Sequence, residues 1–147
     1  MNGDFAVAVH ALVFLYHRRE TLASDILADN ICTNPVRVRK VMAKLRKAGL
    51  AEAREGKFDG GYRARPDGGD IRLSEVLEAL GERCISPVWR PGGEEADCLI
   101  SSGMAAALDD IYGTLNEACR EKLSGITVAD VARSIFLGGA RNAPLTP

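Results

Sequence analysis

From Phe5 to Tyr16 the chain is apolar on almost every side (FAVAVHALVFLY), the pattern of a helix buried between two lobes or two subunits, and it ends in His17, Arg18 and Arg19. The next segment, TLASDILADNI, reads as a short helix capped by Ser24, with Asp25 in its first turn and Ile26, Leu27 and Ile31 as apolar positions. A third helix begins where Asn34 offers an N-cap and Pro35 a first helical residue, and it runs to about Lys47 before Gly49 stops it. Val38, Met42 and Leu45 recur there at spacings of four and three, so they share one face.

The rhythm then changes. LAEAREG and GYRAR flank KFDG, with Asp59, Gly60 and Gly61 supplying the turn chemistry of a β-hairpin. PDGGDIRLSEVLEAL predicts a loop and a helix over Leu73 to Leu80, with Val76, Leu77 and Leu80 inward. Residues 81–100 contain Pro87, Pro91, Gly92 and Gly93 and read as a connecting segment. Beyond it, from about Ser101 to Leu123, Met104, Leu108, Ile111, Leu115 and Cys119 form a narrow helical stripe suited to pairing with a second copy of the same helix. TVADVARSIF, capped by Thr127, forms a last helix that docks over the first, and residues 138–147 read as a disordered tail. The expected units are a winged helix-turn-helix over 1–82, a connector over 83–100, a dimerisation helix with a C-terminal helix over 101–137, and the tail. The fold class is mainly α, with a small β-hairpin wing and a long C-terminal dimerisation helix.

Charge sharpens this reading. Residues 31–50 carry six positive charges and no negative one, although the whole chain has a formal net charge of -1. Residues 30–66 hold ten Lys or Arg against Glu52, Glu55 and Asp59, whereas residues 67–147 hold seven basic and thirteen acidic residues. A basic segment joined to an acidic one points to a polyanion-binding surface on one lobe. On the third helix, Asn34, Val36, Arg37, Arg39 and Lys40 occupy the exposed N-terminal part, where a recognition helix reaches base edges; Lys44 and Lys47 are placed for phosphates. In the hairpin, Arg54, Lys57 and Arg63 are the candidates for backbone or minor-groove contact.

Other chemistry is sparse. No phosphate-binding glycine loop with its lysine, catalytic triad or paired carboxylate is legible, so no catalytic residue is assigned and an enzyme is not expected. No apolar run reaches the roughly 18 residues of a membrane span, and a cytoplasmic protein with no membrane partner is expected. His10 and His17, seven apart, read as structural histidines, not metal ligands, and Trp89 as an aromatic sealing the junction between lobes. Of the four cysteines, Cys32 lies in the turn before a helix N-terminus followed by dense positive charge. It is either a reactive thiol or a small buried residue filling the turn. Cys98, ahead of the long helix in a Gly-containing segment, is its candidate redox partner, probed through a disulfide between subunits.

The string NPVRVRKVMAKLRKAGL, followed by GGYRARPDGGDIRLSEVLEAL, resembles the Rrf2 family of bacterial winged-helix transcription regulators, which includes iron-sulfur and nitric-oxide sensors and a cysteine-metabolism repressor. The resemblance spans nearly the whole chain. It implies a homodimer that binds a short inverted-repeat operator in double-stranded DNA and acts as a repressor, with redox sensing through thiols among the family's mechanisms. Cluster-binding members place three cysteines close together before the dimer helix. Here that region holds only Cys84 and Cys98, so no metal or cofactor is expected. The alternatives are a cluster-dependent regulator of the same family and a protein-interaction module without DNA binding.

Overall fold

A computed structural model describes residues 1–142, and its elements follow in the order α1 (Gly3–Arg18), α2 (Ser24–Ile31), α3 (Pro35–Lys47), β1 (Ala51–Arg54), β2 (Gly61–Ala64), a single 3₁₀ turn (Gly68–Asp70), α4 (Leu73–Leu80), α5 (Leu99–Ser124) and α6 (Val128–Asn142). α1 is capped by Asn2, whose Oδ1 accepts the Asp4 N–H at 2.7 Å, and it closes on Arg19 in the left-handed region. α3 starts as its sequence dictates: Asn34 Oδ1 accepts the Arg37 N–H at 2.8 Å and Pro35 takes the first turn, where an absent N–H costs nothing.

The core lies where α1, α3 and α4 converge, with Leu15, Leu27, Val38, Met42, Leu45 and Val76 essentially inaccessible. Each such side chain contributes on the order of 1.5–3 kcal/mol by leaving water. β1 and β2 pair antiparallel with Ala51 opposite Ala64 and Arg54 opposite Gly61. The hairpin is fastened to the helical body by an isolated bridge, in which Leu22 and Tyr62 exchange N–H···O bonds of 2.8 and 2.9 Å.

That bridge corrects one expectation. Ser24 is the first helical residue of α2, not its cap; Ala23 holds the cap position and makes no side-chain hydrogen bond. Pairing with Tyr62 holds the chain extended through Leu22, and the helix then begins at Ser24, one residue earlier than a Ser24 cap would give.

α6 joins the core instead of standing apart. Val128 N–H donates to the Ile71 carbonyl at 2.9 Å, Val128 and Ala132 are buried, and the helix lies along α1. Thr127 and Asp130 cap it reciprocally, Thr127 N–H donating to Asp130 Oδ2 at 2.9 Å and Asp130 N–H to Thr127 Oγ1 at 3.1 Å. The helix continues to Asn142, through the first part of the expected disordered tail, and residues 143–147 lie outside the described residues.

α5 is different in kind. It has 26 residues, so it is about 39 Å long at 1.5 Å per residue, and none of them is buried. Its C-terminal end is anchored: Arg72 Nη1 donates to the Ser124 carbonyl at 2.6 Å and Leu73 N–H to the Ile126 carbonyl at 2.9 Å. From there it projects as an arm, with the connecting segment lying against it. Ile85 N–H donates to Asn116 Oδ1 at 2.8 Å, Asn116 Nδ2 donates back to the Ile85 carbonyl at 3.0 Å, Arg90 pairs with Asp109, and Gly93 N–H donates to the Ser101 carbonyl at 3.1 Å. Trp89 does not seal a junction. It is 75% exposed, because the Arg90–Asp109 pair lays this stretch along an arm that has no lobe opposite it.

Candidate nucleic-acid interface

α2, the turn Cys32–Asn34 and α3 form the helix-turn-helix. The turn is made by Cys32, which caps α2 in the left-handed region at φ 63°, its Sγ directed back to the Asp29 carbonyl at 3.7 Å. The thiol therefore faces the end of α2 and not the start of α3. It is exposed, which removes the reading of Cys32 as a buried filler.

α3 turns Val38, Val41, Met42 and Leu45 inward and leaves Arg39, Lys40, Arg46 and Lys47 exposed. Among the described residues no carboxylate lies within 4.0 Å of these four cations or of the half-buried Lys44, so their charge is available to a partner. Arg39 is oriented by Ser24, whose hydroxyl accepts from Nη1 at 3.3 Å, so the residue that does not cap α2 has a place beside α3. Val36, 67% exposed in the first turn, presents an apolar surface of the kind that meets a thymine methyl. Asn34 is committed to its cap.

Arg37 has another engagement. Its Nε donates to Asp4 Oδ1 at 2.9 Å, a pair in which Asp4 is only 20% exposed. This ion pair ties the start of α1 to the start of α3. Lys44 and Lys47 border a groove shared with Glu75 and Glu78 of α4, on the flank of α3 away from the wing.

Between α2, α3 and the hairpin runs a cleft of about 430 Å³. Arg46 lines it together with Arg54 and Lys57, which makes Arg46 a functional candidate that the sequence reading passed over. Its signal was present as one of the six charges of α3. Of the wing cations, Arg63 is exposed and cross-strand from Glu52, Arg54 meets Asp59 at 3.3 Å, and Lys57 Nζ stands 5.6 Å from the ring centre of Phe58. Phe58, also unassigned from sequence, is 94% exposed at the tip. The hairpin and α3 thus present cations on both sides of one cleft, the arrangement that a phosphate backbone fits.

The four thiols do not gather at one place. Cys98 is the N-cap of α5, where the N–H groups of Ser101 and Ile100 lower its pKa, and Cys119 lies on the same helix 21 residues further on, about 30 Å away along the axis. Cys84 lies beside Cys119. His10 is satisfied structurally, its Nε2 2.7 Å from Asn30 Oδ1. Among the described residues no three His, Cys, Asp or Glu side chains stand close enough to share a metal ion. None of their helices is long and apolar enough to cross a membrane.

Comparison with known proteins gives one consistent picture. Residues 1–134 match the Rrf2 family model, described as an iron-dependent transcriptional regulator. The chain is 30% identical over 138 residues to YwnA of Bacillus subtilis strain 168, named as an HTH-type transcriptional regulator, with 92% of this chain and 99% of YwnA covered. Among solved structures, a transcriptional regulator from Lactobacillus plantarum superposes with a TM-score of 0.79 at 28% identity, over 97% of this chain and 99% of that one. CymR, the global cysteine regulator of B. subtilis, shares the fold at a TM-score of 0.65 and 17% identity, over 91% and 96% of the two chains.

Proposed function

We propose that this chain, which belongs to the Rrf2 family of transcriptional regulators, works as a homodimeric repressor that reads an inverted-repeat operator with α3 and grips its backbone with the hairpin. The observation that carries the reading is the pairing of two unpartnered surfaces. On α3 Arg39, Lys40, Arg46 and Lys47, and on the wing Lys57 and Arg63, have no carboxylate within 4.0 Å among the described residues, and α5 offers Met104, Ile111 and Leu115, each at least 39% exposed, at helical spacing. The first suits a polyanion and the second suits another α5. Two copies joined along α5 place two recognition helices about a dyad, which is what an inverted repeat requires.

Within that frame Arg39, Lys40 and Val36 read base edges, and Lys44, Lys47, Arg54, Lys57 and Arg63 meet phosphates. Arg37 contributes by holding α3 against α1 through Asp4. Residues 1–82 with α6 make the DNA-binding unit, 83–100 the connector and α5 the dimer arm. Among the described residues iron finds no set of ligands: one chain cannot bring Cys84, Cys98 and Cys119 together when about 30 Å of helix separates the last two, so no step is derived through a cluster. The redox element of the proposal is a Cys32–Cys98 disulfide between subunits. Both thiols are exposed, and α5 carries Cys98 far from its own anchored end, toward a partner.

Footprinting on the duplex upstream of the protein's own gene tests the reading. Two protected half-sites related by a dyad are expected, with affinity falling steeply as salt rises. Protection of a single site by a monomer, or binding indifferent to sequence, refutes it. Mild oxidation should yield a covalent dimer that Cys32→Ser and Cys98→Ser each abolish; a dimer persisting in either variant removes the redox element alone.

A further inference from the structure

A second pair of thiols stands at the root of the arm. Cys84 follows α4 by four residues, in a stretch held from two sides. The Met1 ammonium donates to the carbonyls of Arg83 and Cys84, and Asn2 N–H donates to Glu82 Oε2 at 3.1 Å. On the other side, the paired hydrogen bonds between Ile85 and Asn116 fasten the next residue to α5. Asn116 and Cys119 are three residues apart on α5 and so share a face. The Ile85–Asn116 bonds therefore hold Cys84 beside the face of α5 that carries Cys119, and both thiols are half-buried.

We propose that Cys84 and Cys119 form a reversible disulfide within one chain, a covalent modification site at the joint between the winged unit and the dimer arm, with a hydroperoxide as oxidant. It is independent of the Cys32–Cys98 pair. The Cys119 sulfur attacks the terminal oxygen of the hydroperoxide; the O–O bond breaks, the thiol proton leaves with the alcohol, and Cys119 becomes a sulfenic acid. The Cys84 sulfur then attacks the Cys119 sulfur, the S–O bond breaks, and the hydroxyl departs as water with the Cys84 proton. Two thiols are oxidised, and one peroxide is reduced to alcohol and water. Burial first, and then the contact with Cys119, raise the pKa of Cys84, which suits it to the second role and not the first.

The bond closes a loop of residues 84–119, nearly all of the connector and most of α5. In the reduced chain the connector is held to α5 at this point by the two Asn116 bonds; in the oxidised chain it is held covalently. The setting of α5 on the winged unit then answers to peroxide.

The test treats the full chain with an alkyl hydroperoxide, blocks remaining thiols with N-ethylmaleimide under denaturing conditions, and maps the peptides by mass spectrometry. In the Cys32→Ser/Cys98→Ser variant both remaining thiols should become resistant to alkylation and the Cys84 and Cys119 peptides should appear joined. The product should run as a single chain and revert with dithiothreitol. Parent protein should show the same joined peptide, so the result does not depend on any variant folding. Persistence of both alkylatable thiols in the double variant after the parent has been oxidised, or Cys84 and Cys119 joined only between chains, overturns the proposal. Neither outcome touches the covalent dimer assigned to Cys32 and Cys98.

Discussion

Gly61→Ala is the sharpest probe of how the wing is held. A Cβ at Gly61 would stand 2.3 Å from the Leu22 carbonyl oxygen and 2.6 Å from its carbon, and the residue has φ 153°, a conformation that side-chain-bearing residues rarely adopt. Both obstacles are backbone, so no rotamer relieves them. The Leu22–Tyr62 bridge must open, which removes two hydrogen bonds worth about 0.5–1.5 kcal/mol each. Backbone strain adds on the order of 1 kcal/mol. The expected loss is about 2–4 kcal/mol, read as a lower urea midpoint at unchanged slope. Gly93→Ala, where an added Cβ meets nothing within 4 Å, is the control and should be neutral. Because the bridge also fixes the hairpin beside α2, Gly61→Ala should weaken DNA binding at temperatures where the protein is still folded. A variant as stable as the parent would show that the bridge does not set the wing's position.

Arg39→Ala should cost about 1–3 kcal/mol and relax specificity at one operator position, while Lys44→Ala should weaken all sequences alike and reduce the salt slope; equal behaviour in a binding titration against operator and scrambled duplex contradicts the division of roles. Replacing Lys57 and Arg63 together by alanine should lower DNA affinity without changing the sedimentation of the dimer. Cys98 keeps its thiolate to lower pH than an ordinary thiol because the Ser101 and Ile100 N–H groups favour the anion, so it should alkylate fastest near neutrality and Cys84 slowest; equal rates in a pulse-alkylation series contradict this. Asp130 is held below the usual carboxylate range by the Thr127 N–H first, with the Thr127 hydroxyl and Arg133 adding to it. A depressed carboxyl stabilises the fold above its unfolded pKa and loses that contribution as pH falls through the folded value. Asp130→Asn should therefore be less stable than the parent at neutral pH, with the gap closing in strong acid when urea midpoints are compared.

What the sequence displayed was mostly local chemistry. Asn34 and Pro35 announce the start of α3 through the same cap and first-turn geometry found in the structure, and the helix over Leu73–Leu80 agrees residue for residue. Ser24 misled because the register of α2 is set by Tyr62, 38 residues away. Arg37 looked like one more displayed cation; its partner Asp4 lies 33 residues earlier, on another helix. The Cys84–Cys119 proximity is invisible for the same reason, since only the folded path of the connector along α5 brings the two near each other. Family resemblance supplied the architecture. It did not supply these long-range pairings, which belong to the individual chain.

The arm's length has a mechanical consequence. With its root held at Arg72–Ser124 and Ile85–Asn116, α5 acts as a lever of about 39 Å. A swing of about 5° at that root moves the far end by about 3.4 Å, the axial rise of one base pair on each strand. A small angular change at a few hydrogen bonds is thereby geared up to the unit in which DNA measures distance, and in the proposed dimer the stiffness of that joint would set how exactly two half-sites must be spaced.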